Sequence, residues 1–152
     1  MFDDFISASS ATYGVPVSWI RAVIQTESAW NPNAHNAADP TGAYGLMQVL
    51  YSTAQALGYT GPASGLYDPA ININLGTELL SQLRNSYGDD FRRVYSAYNS
   101  GNPDLWQTSE QVAANVARAL AALLSYGAEN PASSTIVFAV IFLLVWMFKK
   151  KK

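Results

Sequence analysis

Residues 20–30 read IRAVIQTESAW, and they place a carboxylate where a helix should be buried. Ile20, Val23 and Ile24 recur at helical spacing, so they share one face of a helix. Glu27 lies seven, four and three residues beyond them, on that same face. Burial removes solvent from a carboxylate, which favours its neutral form and raises its pKa. Glu27 is therefore a candidate general acid, although a Glu near a helix end can also reach solvent.

The composition of the chain restricts the classes of function. Its 152 residues are 49% hydrophobic and 13% charged, which suits one globular domain. Residues 1–148 carry five Arg against eleven acidic residues, a formal charge of −6, because every Lys lies at 149–152. This charge argues against nucleic acid as a partner. With no Cys and with His35 as the single His, expected to be solvated, the sequence predicts neither a metal site nor a cofactor.

The apolar spacing predicts a series of short helices. They are expected at about 2–13, 16–28, 46–57, 69–87, 91–98 and 109–126. Asp68 fits the N-cap of the helix that Pro69 begins, better than it fits a catalytic acid. Thr108 and Gln111 resemble a capping box before the last helix. Residues 31–45 are expected to be a loop, and no strand or internal repeat is evident. The fold class is therefore predicted to be all-α.

The C-terminal segment has the character of a membrane anchor. Residues 136–148, IVFAVIFLLVWMF, are thirteen consecutive apolar residues from Ile136 to Phe148, and the uncharged run reaches back to position 131. At about 1.5 Å per residue, 131–148 measures roughly 27 Å, close to the ~30 Å of a bilayer core. Lysines at 149–152 can extend to the headgroups. We expect a globular domain over 1–130, a transmembrane helix over 131–148 and a basic tail. The alternative is a buried core segment.

Four sequence blocks follow one another in the globular part. They are ESAWNPNA (27–34), GAYGLMQ (42–48), DPAININLG (68–76) and AYNSG (97–101). In this order and spacing they resemble the lysozyme-like lytic transglycosylases of the soluble-lytic type, including those carried by phages and conjugation systems. The family pattern is E-S-x-x-N-P-x-A, G-A-x-G-L-M-Q, D-P-x-x-N-I-x-x-G and A-Y-N-x-G. The resemblance covers about residues 10–125 and implies a lysozyme-like helical domain.

The resemblance implies a reaction with a single catalytic carboxylate, Glu27. Similar enzymes protonate the glycosidic oxygen between N-acetylmuramic acid and N-acetylglucosamine. The same carboxylate then acts as a base toward the muramoyl 6-hydroxyl, which closes a 1,6-anhydro ring. No water is consumed, so the second carboxylate of ordinary glycosidases is not required. The substrate's N-acetyl group is expected to stabilise the oxocarbenium-like intermediate.

The family's other site residues carry over to five positions. Gln48 is expected to hydrogen-bond a sugar, and Met47 to touch a sugar face unless it belongs to the core. The Tyr98 hydroxyl is expected to point at Glu27, although Tyr98 also lies on an apolar stripe. Asn99 is expected to bind an acetamido group. Ser28 is expected to orient Glu27 or to contact the peptide stem.

Three glycines of the motifs are expected to have structural roles. Gly42, Gly45 and Gly101 can adopt backbone conformations that other residues avoid. Two departures from the family pattern stand out. The Pro that usually follows the second block is lost, so the entry of that helix is expected to differ. The late Tyr of the family has no counterpart after 101.

Two other functions remain open from the sequence. One is a muramidase that uses water, and the other is a wall-binding structural protein of a virion or secretion machine. The expected partners are peptidoglycan glycan strands, a lipid membrane and possible virion or secretion proteins. The N-terminus lacks the basic and apolar regions of a signal peptide. This favours the membrane of a phage virion, with the bacterial inner membrane facing the periplasm as the alternative.

Overall fold

The chain is mostly helical, which confirms the predicted helical domain. The computed structural model describes residues 2–37 and 42–128. The α-helices in these ranges are α1 (Asp3–Tyr13), α2 (Val17–Ser28), α3 (Tyr51–Ala56), α4 (Pro69–Tyr87), α5 (Phe91–Ser100) and α6 (Glu110–Ala128). Short 3₁₀ helices cover Ala63–Tyr67 and Leu105–Gln107.

The prediction that the domain holds no strand is wrong. Three two-residue strands, β1 (His35–Asn36), β2 (Ala43–Tyr44) and β3 (Val49–Leu50), form an antiparallel sheet in the order β1-β2-β3. The helix expected over 46–57 begins only at Tyr51. The reason is local: Gly45 and Gln48 have φ values of 73° and 49°, which a right-handed helix cannot include. Two-residue strands are also too short to give an alternating pattern.

The helix ends confirm one predicted cap and correct another. The Asp68 carboxylate accepts hydrogen bonds from the amides of Ala70 and Ile71 at 2.8 and 3.2 Å, so Asp68 is the N-cap of α4. The capping box at 108 and 111 is not formed. Instead the Ser109 hydroxyl accepts from the Val112 amide at 3.4 Å. The prediction at α6 therefore placed the cap one residue too early.

Helix α2 contributes a fully buried apolar face to the core of the domain. Its residues Ile20, Val23 and Ile24 are fully buried, as their spacing predicts. Helix α6 packs against both α2 and α5, while α1 packs against α4. The face of α2 that carries Glu27 is thus enclosed by the helices that follow it in sequence. The fold holds this carboxylate against the core.

The predicted transmembrane helix over 131–148, with Ile136 and Phe148 at the ends of its apolar core, lies outside the described residues. So does the basic tail at 149–152. Within residues 2–37 and 42–128, no helix combines the length and the apolar character that crossing a membrane requires.

Candidate active site

Glu27 lies in the last turn of α2 and is largely enclosed by protein. The Tyr95 hydroxyl donates a hydrogen bond to its Oε1 at 2.6 Å. Burial raises the pKa of Glu27 above its usual value. The Tyr95 hydrogen bond, the charge of Arg118 and hydrogen bonding by Asn99 act in the opposite direction and are smaller. The result is a carboxyl group that retains its proton to higher pH than an exposed Glu.

Tyr95 reaches Glu27 from α5, from within a row of aromatic rings. It is only 1% exposed and stacks against Phe91 on one side and Tyr98 on the other, with ring centroids 5.9 and 6.4 Å apart. Phe91 meets Trp19 of α2 edge to face at 4.9 Å. These contacts fix the position of the phenol ring, so the hydroxyl has little freedom to leave Glu27.

The hydrogen bond expected from Tyr98 comes from Tyr95 instead. The Tyr98 hydroxyl donates to the backbone oxygen of Met47 at 2.7 Å and so ties α5 to the turn after β2. Burial and the nearby charge of Glu27 both raise the pKa of Tyr98, which keeps its hydroxyl protonated as a donor. Tyr95 lies on the same apolar stripe as Tyr98, one turn earlier. That shared face is the signal in the sequence that points to Tyr95, although an apolar stripe at helical spacing also indicates core packing.

Met47 and Gln48 both lie in this turn between β2 and β3, Met47 buried and Gln48 half-buried. Met47 is fully buried, which agrees with the core position that the sequence left open for it. Its expected contact with a sugar face stays a prediction. A Cβ on Gly76 of α4 would lie 2.6 Å from the Met47 sulfur, which shows how closely the two elements pack. Gln48 donates through Nε2 to the carbonyls of Ala34 and Gly45, at 3.1 and 3.0 Å. Its amide oxygen keeps no partner among the described residues and stays a candidate for a sugar hydrogen bond.

Asn72 of α4 connects the turn between β2 and β3 to the rest of the domain through three hydrogen bonds. It is fully buried, and its Oδ1 accepts from the Met47 amide at 2.8 Å. Its Nδ2 donates to the carbonyls of Tyr44 and Leu66, at 2.7 and 2.8 Å. The sequence motif contains this Asn, and the fold gives the reason for it. A buried polar side chain needs hydrogen-bond partners, and the Asn72 amide finds them on the backbone of this turn and of Leu66.

Left-handed backbone conformations cluster around the site. Within the described residues, the non-glycine residues with positive φ are Ala29, Trp30 and Gln48. Ala29 and Trp30 lie two and three residues after Glu27, and Gln48 ends the second motif. Trp30 is held by hydrogen bonds from its indole nitrogen to Gln25 Oε1 at 2.9 Å and to the Tyr126 hydroxyl at 3.1 Å. Such strain persists only where surrounding contacts enforce it, and it is frequent at functional sites.

Asn99 and Ser28 lie beside Glu27 with different contacts. Asn99 is exposed, interacts with Glu27, and accepts a hydrogen bond from Asn115 Nδ2 at 3.0 Å. The acetamido contact expected of Asn99 stays a prediction. The Ser28 hydroxyl donates to the backbone oxygen of Ile24 at 3.1 Å, so it does not orient Glu27 in this structure. Its contact with a peptide stem also stays a prediction.

The three motif glycines adopt the conformations expected of them. Gly42, Gly45 and Gly101 have φ values of 67°, 73° and 75°. Gly101 ends α5, while Gly45 faces Asn72 so closely that a Cβ would lie 2.5 Å from its Nδ2.

Across residues 2–37 and 42–128, no group of three or more His, Cys, Asp or Glu side chains is placed to hold a metal ion.

Comparison with known proteins identifies the family of this chain. Residues 4–121 match the Transglycosylase SLT domain, and the chain belongs to this family. It is 42% identical over 110 residues to the membrane-bound lytic murein transglycosylase C of Shigella sonnei (strain Ss046), covering 63% of this chain and 30% of that protein. It is 35% identical over 109 residues to the soluble lytic murein transglycosylase of Escherichia coli (strain K12), covering 66% and 16%. The chain spans less than a third of the length of these two relatives.

A solved structure shares the fold. The lytic transglycosylase Slt from Pseudomonas aeruginosa, determined as an inactive mutant, superposes with a TM-score of 0.73 at 23% identity. The likeness covers 84% of this chain and 24% of that one. It confirms the fold that the sequence motifs implied.

Proposed function

We propose that this chain is a peptidoglycan lytic transglycosylase that cleaves the β-1,4 bond between N-acetylmuramic acid and N-acetylglucosamine. The observation that carries the proposal is the carboxyl group of Glu27, enclosed by protein, raised in pKa and held by the Tyr95 hydroxyl at 2.6 Å. Membership of the SLT family supports it. The names of the relatives, which are lytic murein transglycosylases, agree with it.

The reaction needs one group that is first an acid and then a base. Protonated Glu27 gives its proton to the glycosidic oxygen as the bond to the anomeric carbon breaks. The resulting carboxylate is stabilised by the Tyr95 hydroxyl. It then accepts the proton of the muramoyl 6-hydroxyl, whose oxygen bonds to the anomeric carbon and closes the 1,6-anhydro ring. Glu27 ends the cycle protonated, and no water is consumed.

Only one carboxylate is evident at the site. Ordinary glycosidases place two carboxyl groups roughly 5–10 Å apart on either side of the bond. Among the described residues, no second carboxyl group influences the pKa of Glu27. An attacking group supplied by the substrate itself therefore fits the site better than a water activated by a second acid. A water-using muramidase is the second candidate, because a single Glu can also activate water.

Digestion of purified peptidoglycan tests the proposal. The wild-type chain should solubilise sacculi, and Glu27→Gln should not, since loss of a general acid lowers rates by about 10²–10⁴-fold. A Gln variant that remains folded by circular dichroism and digests at the wild-type rate would remove Glu27 from the mechanism. A wild-type chain that binds sacculi without digesting them would support the wall-binding function instead.

The location of the enzyme is proposed from its sequence. The apolar run at 136–148 and the lysines at 149–152 favour a single C-terminal membrane anchor. The membrane-bound name of the Shigella relative agrees with a membrane location. We place the protein in the membrane of a phage virion, where it opens the wall during entry beside other virion proteins. A bacterial inner-membrane enzyme of a secretion machine, facing the periplasm, is the alternative.

A further inference from the structure

Arg118 differs from every other arginine in the part of the chain that the structure describes. The other four are paired with aspartates, as Arg21–Asp3, Arg84–Asp89, Arg92–Asp90 and Arg93–Asp104. Arg118 is exposed and, among the described residues, has no carboxylate partner in an ion pair. An unpaired guanidinium in a chain of net negative charge is available to an anionic ligand.

The position of Arg118 connects it to the active site. It lies on α6, which packs against both α2 and α5, the helices that carry Glu27 and Tyr95. The Arg118 guanidinium donates to Asn115 Oδ1, and Asn115 donates in turn to Asn99 Oδ1 at 3.0 Å. Asn99 interacts with Glu27. A row of polar side chains therefore leads from the exposed guanidinium through Asn115 to Asn99, whose hydrogen bonding lowers the pKa of Glu27.

Helix geometry places this row at the edge of the buried face of α6. Gln111, Asn115 and Arg118 are spaced four and three residues apart, so they share one side of the helix. Gln111 donates to Asn115 at 3.2 Å and completes the row. Val112, Val116 and Ala119 form the adjacent buried stripe. The polar row thus borders the site without belonging to the core.

We infer that Arg118 binds carboxylates of the peptide stems that peptidoglycan carries on N-acetylmuramic acid, beside the bond that Glu27 cleaves. This inference rests on the proposed function for the identity of the substrate. In stem-bearing strands the lactoyl group is amide-linked, so the sugar backbone is neutral and the free carboxylates belong to the peptides. The guanidinium fork matches the geometry of a carboxylate. Since the chain has a net negative charge, this local cation offsets the repulsion of an anionic substrate.

A binding comparison on two matched ligands tests the inference. The ligands are a synthetic tetrasaccharide with two stem peptides that have free carboxylates, and the same compound with those carboxylates as primary amides. Affinities are measured by calorimetry with the Glu27→Gln protein, so that nothing is cleaved. We expect the free-carboxylate ligand to bind about tenfold more tightly, as for a hydrogen bond between charged groups at a partly exposed site.

Substitutions assign that preference to Arg118. In the same background, Arg118→Gln should reduce the preference to near unity, and Arg118→Lys should retain part of it. Arg93→Gln is the matched control, because it removes a half-buried arginine of α5 that pairs with Asp104, and it should retain the full preference. A preference that is absent from the parent, or that survives Arg118→Gln, overturns the inference. Failure of the proposed function would show separately, as an inability of the wild-type chain to cleave peptidoglycan.

Discussion

The Tyr95 hydroxyl of α5 donates to the Glu27 carboxylate of α2 at 2.6 Å, and this contact joins the proposed general acid to the aromatic core. It acts on the charge of Glu27 as well as on its position. A donor stabilises the carboxylate form, so Tyr95 limits the rise in the pKa of Glu27 that burial causes. Tyr95 is therefore a positioning residue whose loss should change how activity depends on pH.

Tyr95→Phe should lower kcat/KM about tenfold or more, since a hydrogen bond to a charged group is lost. It should also move the alkaline limb of the pH profile to higher pH. That limb follows deprotonation of Glu27, and removing the donor raises the pKa of Glu27 further. The measurement is kcat/KM across pH on soluble glycan strands. A purely structural role for Tyr95 would lower activity at every pH and leave the limb in place.

Tyr13→Phe is the control for that experiment. Tyr13 also donates to a carboxylate, Glu78, at 3.3 Å, but it joins α1 to α4. Its loss should leave the pH limb where it is in the wild type. Movement of the limb in Tyr13→Phe would show that the shift does not report on Glu27.

Glu27→Gln should stabilise the fold at neutral and alkaline pH. Burial raises the folded-state pKa of Glu27 above its unfolded value near 4.5, so between these two pKa values the native state binds more protons than the unfolded state. The stability contributed by Glu27 therefore falls as pH rises through that window. The Gln side chain is neutral throughout and retains an oxygen that can accept from Tyr95.

Urea unfolding at several pH values checks this expectation. The free energy of unfolding of Glu27→Gln should exceed that of the wild type at pH 8, and the difference should shrink toward pH 4. A difference that does not vary with pH would mean that Glu27 titrates as an ordinary exposed Glu. Equal stability at pH 8 would mean that the carboxylate is not desolvated in solution.

Gly45→Ala should destabilise the domain more than Gly14→Ala. Both glycines have positive φ, 73° and 69°, so an Ala at either position is strained by about 1 kcal/mol or more. At Gly45 the added Cβ would also lie 2.5 Å from the Leu66 carbonyl and from Asn72 Nδ2, while at Gly14 nothing lies within 4 Å. Overpacking of this kind adds about 1–3 kcal/mol. Denaturant titration of both variants gives the comparison, and equal losses would contradict the close packing of the turn against α4.

Truncation after Glu129 should separate catalysis from membrane attachment. The truncated chain is expected to be soluble without detergent, to remain helical and to cleave purified sacculi, because α1 to α6 supply a core of their own. The full chain should float with liposomes and resist extraction by carbonate. If the truncated chain unfolds or aggregates, the apolar segment belongs to the core and the prediction of a membrane anchor is wrong.

Much of the helical fold was readable from the sequence, because caps and apolar spacing act locally. Asp68 with Pro69 marks the start of α4, and the stripe of Ile20, Val23 and Ile24 marks the buried face of α2. The three-stranded sheet was not readable, since its two-residue strands exist only through pairing with each other.

The site was readable in part. The sequence places Glu27 on an apolar face and supplies the motif glycines, and both follow from local spacing. It did not show that Tyr95 reaches Glu27, that Met47 is buried beneath Tyr98, or that Asn72 ties the turn to α4. These contacts join segments 25 to 68 residues apart, so they depend on the packing of α5 and α4 against the turn.

The chemical form of the released ends distinguishes transglycosylation from hydrolysis. Purified peptidoglycan is digested with the wild-type chain, and the soluble muropeptides are analysed by mass spectrometry. Attack by the muramoyl 6-hydroxyl, with Glu27 as both acid and base, predicts 1,6-anhydro-N-acetylmuramic acid at the new ends and none with Glu27→Gln. Reducing ends that carry N-acetylmuramic acid, heavier by one water, would contradict it and identify the enzyme as a muramidase.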